Sequence, residues 1–134
     1  MILYLKRREM MHRRLNDTMA RTLIPALMVF LVGCAKSEQY GEPIQVTQTT
    51  NLGDVLSHPE NYKDKVITVK GEIVTECPSG CWFEIKEGGA ILYVDIGQKG
   101  LAIPQRLGRE VTVEGKVLVD GRNVRFAGER LEIR

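Results

Sequence analysis

The chain has 134 residues, 43% of them hydrophobic and 27% charged, with a formal net charge of +2. That balance excludes a disordered or fibrous chain, and the length admits one domain of modest core plus a tail. The charge is unevenly placed: residues 1–33 carry six Lys/Arg and two acids, whereas residues 34–134 carry 13 Lys/Arg against 15 Asp/Glu. A slightly acidic remainder argues against a nucleic-acid binder.

After the basic Arg21, residues 23–33 run without a charge. A membrane-spanning helix needs roughly 20 apolar residues, so the run is too short to span and has the layout of a secretory signal. It ends in Leu31-Val32-Gly33-Cys34, which resembles the lipobox of bacterial lipoproteins. The resemblance implies cleavage before Cys34, a diacylglycerol on its thiol and acylation of the new α-amine. The alternative is an N-terminal helix with a buried cysteine. Each buried methylene adds about 0.8 kcal/mol, so a multiply acylated Cys34 would anchor the protein to a membrane without a span. That covalent lipid is the only prosthetic group expected. Ala35, following the cysteine, resembles outer-membrane sorting in enteric bacteria. The expected address is therefore the cell envelope, lipid-anchored at the outer membrane and facing the periplasm. Met19-Ala20-Arg21 forms a compact basic start, so Met19 is the expected initiator and residues 1–18 stay outside the fold. Residues 34–49 are polar and without alternation, and read as the lipidated cysteine and a flexible tether.

Residues 50–134 read as the domain. Thr50 or Asn51 caps a short helix over Leu52–Ser57 with Leu52, Val55 and Leu56 on one side, ended by His58-Pro59. A polar turn around Tyr62 follows, and the period then changes to two. The stretch Val66–Cys77 puts Ile67, Val69, Gly71, Ile73, Thr75 and Cys77 on one face. After a tight turn, Cys81, Phe83 and Ile85 face inward, opposite Trp82, Glu84 and Lys86. Glu87-Gly88-Gly89 turns the chain into a third strand with Leu92, Val94 and Ile96 inward. The segment Gly97–Gly108 reads as a short helix or loop, with Leu101, Ile103 and Leu107 as its apolar contacts. Val111, Val113, Gly115, Val117 and Val119 alternate through a fourth strand, and Asp120-Gly121 marks a hairpin. Val124 and Phe126 open a fifth strand whose phase changes at Gly128, which predicts a bulge.

Five strands, the first long and bent at Gly71, with an insertion between the third and fourth, resemble the OB-fold. The expectation is an all-β, five-stranded OB-fold-like Greek-key barrel with a short N-terminal helix and a short helix or loop between strands three and four. A small SH3-like barrel is the structural alternative. Gly71-Glu72-Ile73-Val74 together with Cys77 and Gly80-Cys81-Trp82 resembles an uncharacterised group of small exported bacterial OB-like proteins. Their cysteines stand one residue further apart, and the resemblance implies no activity.

Pro78-Ser79-Gly80 reads as a three-residue hairpin loop that sets Cys77 and Cys81 nearly opposite each other. In an oxidising compartment, with Cys34 lipidated, these two are left to pair as a disulfide. By loop entropy such a bond is worth about 2 kcal/mol at most. The alternative is a pair of thiolates holding a soft metal, Cu(I) or Zn, with His58 as a further ligand. A catalytic redox pair finds no Cys-x-x-Cys at a helix N-terminus, and haem attachment finds no Cys-x-x-Cys-His. Trp82 is the only tryptophan. It shares its face with Glu84 and, across the sheet, Tyr93, beside the first hairpin loop, where OB-folds take ligands. The alternative is a tryptophan that covers a barrel edge. Arg122, Arg125, Arg130 and Arg134 are interrupted by acids and read as a solvated mixed face.

No paired carboxylates, Ser-His-Asp set or phosphate-cradling loop can be read in the sequence, so no enzyme is expected. The expected function is a lipid-anchored, non-catalytic OB-fold-like binding or assembly module of the bacterial envelope. Its partner would be an envelope protein or small ligand at the first hairpin loop. The alternative is a metal- or thiol-handling accessory protein acting through Cys77 and Cys81. Oligonucleotide binding is raised by the fold alone, and no nucleic acid is expected.

Overall fold

The computed structural model describes residues 36–134. Cys34, the apolar run before it and the Met19 start lie outside the described residues. Six strands and one α-helix follow in order: β1 (Glu38–Tyr40), α1 (Leu52–Ser57), β2 (Val66–Glu76), β3 (Trp82–Glu87), β4 (Ala90–Asp95), β5 (Glu110–Asp120) and β6 (Asn123–Ile133). Single 3-10 turns lie at Pro59–Asn61 and Gly97–Lys99.

The five long strands close on themselves in the order β2-β3-β4-β6-β5 and back to β2. Every pairing is antiparallel except β4 with β6, which runs parallel. This is the expected OB-like barrel, and closure leaves its main strands no free edge to aggregate. The long strands make closure possible. Residues 66–72 of β2 pair with β5, and residues 72–76 pair with β3, so one strand serves both halves of the wall. Likewise β6 gives its first half to β4 and its last residues to β1.

Inward positions follow the period of two. Val69, Ile73, Phe83, Ile85, Val113 and Phe126 are fully buried, each contributing roughly 1.5–3 kcal/mol of apolar burial. Helix α1 adds Leu52 and Val55 to the same core. Its N-terminus is satisfied twice: the Asn51 side chain accepts from the Asp54 amide, and the Leu52 N–H donates to Glu87 at the end of β3. The bulge expected at Gly128 is present as a register shift, where Glu114 pairs with Arg130 but Gly115 pairs with Gly128.

Three expectations are corrected. Thr75 does not continue the inward face of β2, because a register shift between Ile73 and Thr75 turns the rest of the strand over and leaves Thr75 exposed. Leu107 is 63% exposed and is no core contact, whereas Ile103 is buried. Residues 38–49 are not a loose tether. Strand β1 pairs with the end of β6, and the amides of Gln45 and Val46 donate to one oxygen of the buried Glu114 carboxylate at 2.7 and 2.6 Å. Arg130 holds the other oxygen. Arg106 ties Glu38 of β1 to the β4–β5 connection at 2.9 Å, and Glu76 accepts from the Arg106 and Leu107 amides. The segment is a strap on the barrel wall, fastened by polar contacts.

Candidate functional site

The β2–β3 loop follows the predicted chemistry. The Gly80 amide donates to the Cys77 carbonyl at 2.9 Å, Gly80 has φ +74°, and the Cys77 amide meets the Trp82 carbonyl at 3.0 Å. A turn entered through Pro78 and closed by a left-handed glycine is the three-residue hairpin with a bulge. The β4–β5 connection then clamps it. The Ile103 amide donates to the Gly80 carbonyl at 3.1 Å, and the Gln105 side chain donates to the Cys77 carbonyl at 3.0 Å. A Cβ on Gly80 would lie 1.9 Å from the Ile103 carbonyl oxygen, so only glycine fits between the two loops. From the other side, the Cys81 carbonyl accepts from the Ile96 and Gly97 amides.

This frame holds two half-buried, unbonded thiols with their sulfurs 3.3 Å apart. The Ser79 hydroxyl lies 3.0 Å from Cys77 Sγ and 3.5 Å from Cys81 Sγ. The Cys81 thiol donates to the Cys77 sulfur, and the Ser79 hydroxyl is placed to donate to the same sulfur once it ionises. The Ser79 hydrogen bond, with a smaller contribution from Cys81, pulls the Cys77 thiol down to about 7. Ser79 was read in the sequence only as a turn residue. Its position between the cysteines was the available signal, but nothing in a turn propensity says which way a hydroxyl will point.

Trp82 and Tyr93 stack on the outer face of β3 and β4, with ring centroids 5.4 Å apart and planes 30° from parallel. Glu84 is the direct cross-strand partner of Tyr93, and Asp95 that of Trp82. On the far side of Tyr93, Arg125 of β6 is its parallel partner. The three residues expected to share a face therefore do so, as a half-buried aromatic ledge rimmed by charges of both signs. The ledge adjoins the thiols: burial pushes the Tyr93 phenol up, and the charges of Asp95, Cys81 and Cys77 add to this against Arg125.

His58 does not join the site. It is exposed at the C-terminus of α1, with Nδ1 3.7 Å from Asp54. The N-terminus of α1 is fixed to Glu87, at the opposite end of β3 from the cysteine loop. The expected Cys77, Cys81 and His58 ligand set is therefore not assembled, and no group of three or more His, Cys, Asp or Glu side chains suited to a metal ion occurs among the described residues. Also among the described residues, no helix is long and apolar enough to cross a membrane.

The domain thus belongs structurally to the closed OB-like barrels, with Trp82, Tyr93 and the two cysteines gathered at the first hairpin and the face beside it. The chain is similar to the hypothetical protein ygiW from E. coli, at 20% identity and a TM-score of 0.50, over 71% of this chain and 97% of that one. It is also similar to a Leishmania major Friedlin chain assigned as an aspartyl-tRNA synthetase, at 15% identity and a TM-score of 0.47, over 69% of this chain and 23% of that one. At such identities the likeness to ygiW is one of fold. No protein-family model and no curated protein matches the sequence.

Proposed function

We propose that the protein is a lipid-anchored binding module of the bacterial envelope, held by Cys34 and presenting the Trp82–Tyr93 ledge to a ring-bearing ligand. The observation that carries the reading is the aromatic stack itself. It lies on the second and third strands of the barrel next to the loop between the first and second, the face on which OB-folds take oligonucleotides and oligosaccharides. Flat apolar rings offer a ligand ring a stacking surface at little entropic cost, and the flanking carboxylates and Arg125 offer hydrogen bonds to hydroxyls. Charge chooses between the two ligand classes. With Glu84 and Asp95 on the ledge and an acidic excess over residues 34–134, a polyanion is disfavoured and a neutral oligosaccharide is favoured.

Trp82 makes the test direct, because the only tryptophan is on the ledge. A neutral β-1,4-linked N-acetylglucosamine tetramer should change its emission saturably, and Tyr93→Ala should weaken binding by about fivefold, in line with roughly 1 kcal/mol for a lost aromatic contact. A poly-thymidine octamer should leave the emission unchanged at physiological salt. If the octamer binds and the tetramer does not, the glycan reading fails. If neither moves Trp82, the ledge is not a ring-binding face.

A further inference from the structure

We propose that Cys77 and Cys81 form a thiol–disulfide exchange couple, in which Cys77 attacks a partner's disulfide and Cys81 resolves the product. The proposal does not depend on the ledge binding a ligand. It rests on how the loop holds its sulfurs. Both are on one clamped hairpin, in contact at 3.3 Å, so a bond between them needs no rearrangement of the barrel. The loop that the bond would close runs only from Cys77 to Cys81, and so a disulfide there gains little from loop entropy. Such a bond would lie beside the exposed loop tip of Pro78 and Ser79, and exposed disulfides are the labile ones that exchange.

The two sulfurs are not equivalent. The Cys81 thiol donates to Cys77, and the Ser79 hydroxyl lies within reach to donate to the same sulfur once it ionises, so both favour the Cys77 thiolate. Exchange couples on other folds obtain that effect from a helix N-terminus; here a hydroxyl inside the loop supplies it. Proximity to the neutral range makes Cys77 both ionised and still nucleophilic. Pro78 and Ser79 are exposed at the loop tip, so a disulfide can approach from solvent.

In the first step the Cys77 thiolate forms a bond to one sulfur of R–S–S–R′. The S–S bond breaks, and R′–S⁻ leaves with the electron pair and takes a proton from water. In the second step Cys81 loses its proton to solvent and its sulfur attacks Cys77. The Cys77–S–R bond breaks, and R–S⁻ leaves and is protonated. One partner disulfide is reduced to two thiols while two protein thiols are oxidised to one disulfide, with two electrons and two protons transferred.

The test uses the full chain and reads the tryptic peptide spanning residues 71–86, which contains both cysteines and excludes Cys34. With glutathione disulfide at pH 7, Cys81→Ser should accumulate a glutathione adduct on Cys77. Cys77→Ser should form its adduct on Cys81 severalfold more slowly. Ser79→Ala in the Cys81→Ser background should move the pH midpoint of adduct formation upward. Wild type should pass to the internal disulfide with little adduct and return to the dithiol as reduced glutathione is raised. A second arm replaces glutathione disulfide with insulin, whose interchain disulfides should be reduced by wild type and not by Cys77→Ser. Exchange with only one of the two assigns the partner as a small or a protein disulfide. Equal adduct rates at Cys77 and Cys81, no exchange in either arm, or a wild-type disulfide that glutathione cannot reduce would each overturn the proposal.

Discussion

Gly80→Ala tests whether the cysteine loop is rigidly seated, because two separate penalties fall on one atom. The added Cβ imposes a left-handed conformation on a residue that resists it, at roughly 1–2 kcal/mol. It also enters space 1.9 Å from the Ile103 carbonyl oxygen. The β4–β5 connection must then withdraw, at a cost of about 1–3 kcal/mol for overpacking and about 1 kcal/mol for the Ile103 amide bond to Gly80. Loss of backbone freedom in the unfolded chain returns about 0.4–1 kcal/mol. The expected destabilisation is about 3–4 kcal/mol. Gly121 provides the control: its φ is +58°, yet nothing lies within 4 Å of a Cβ there, so Gly121→Ala should cost only about 1 kcal/mol. Urea unfolding followed by Trp82 emission separates the two. At about 1–3 kcal/mol per molar urea, the gap in midpoint should be near 1 M or more. If the two variants unfold within about 0.3 M of each other, the β4–β5 connection does not clamp the cysteine loop, and the two sulfurs are not held preset.

Two further outcomes bear on the strap and the anchor. Glu114 is 1% exposed and holds Gln45, Val46 and Arg130, so Glu114→Ala should cost about 3–5 kcal/mol, as expected for half of a buried pair, and should speed hydrogen exchange at the Gln45 and Val46 amides; protection unchanged at both amides would mean the strap is held by something else. Although burial alone would raise it, the backbone and Arg130 hydrogen bonds hold the Glu114 carboxyl below its ordinary value. Its contribution is therefore present above the unfolded-state pKa and lost as pH falls through the lower folded one, and the acid arm of the pH–stability curve should flatten in Glu114→Ala. Cys34→Ala should abolish labelling of the chain by a radioactive fatty acid in a bacterial host, whereas wild type that takes up no label would rule out the lipid anchor.

The features legible in the sequence share a physical basis with the errors. Inward positions of β3, β4 and β5 could be read because a strand on a core must alternate, and Phe83, Leu92, Val94, Val111 and Val113 do so in phase. The Asp120-Gly121 hairpin and the Gly128 bulge could be read because each needs a backbone geometry that few residues provide. Alternation gave no warning of the β2 register shift, since one extra residue changes the phase without changing composition, and Thr75 turned outward as a result. Strand β1 and the strap were invisible for a different reason. They are held by Glu114, Arg130 and the Glu38–Arg106 pair, contacts that span as many as 69 residues and impose no period on the sequence. The site divides along the same line. Trp82, Glu84 and Tyr93 fall on one face by parity alone. The acceptor role of Cys77 depends instead on where the Ser79 hydroxyl points and on a loop that Ile103 and Gln105 hold from more than twenty residues away. Apolar periodicity therefore located the ledge, whereas the sulfur chemistry is set by polar contacts that become visible only once the barrel has closed.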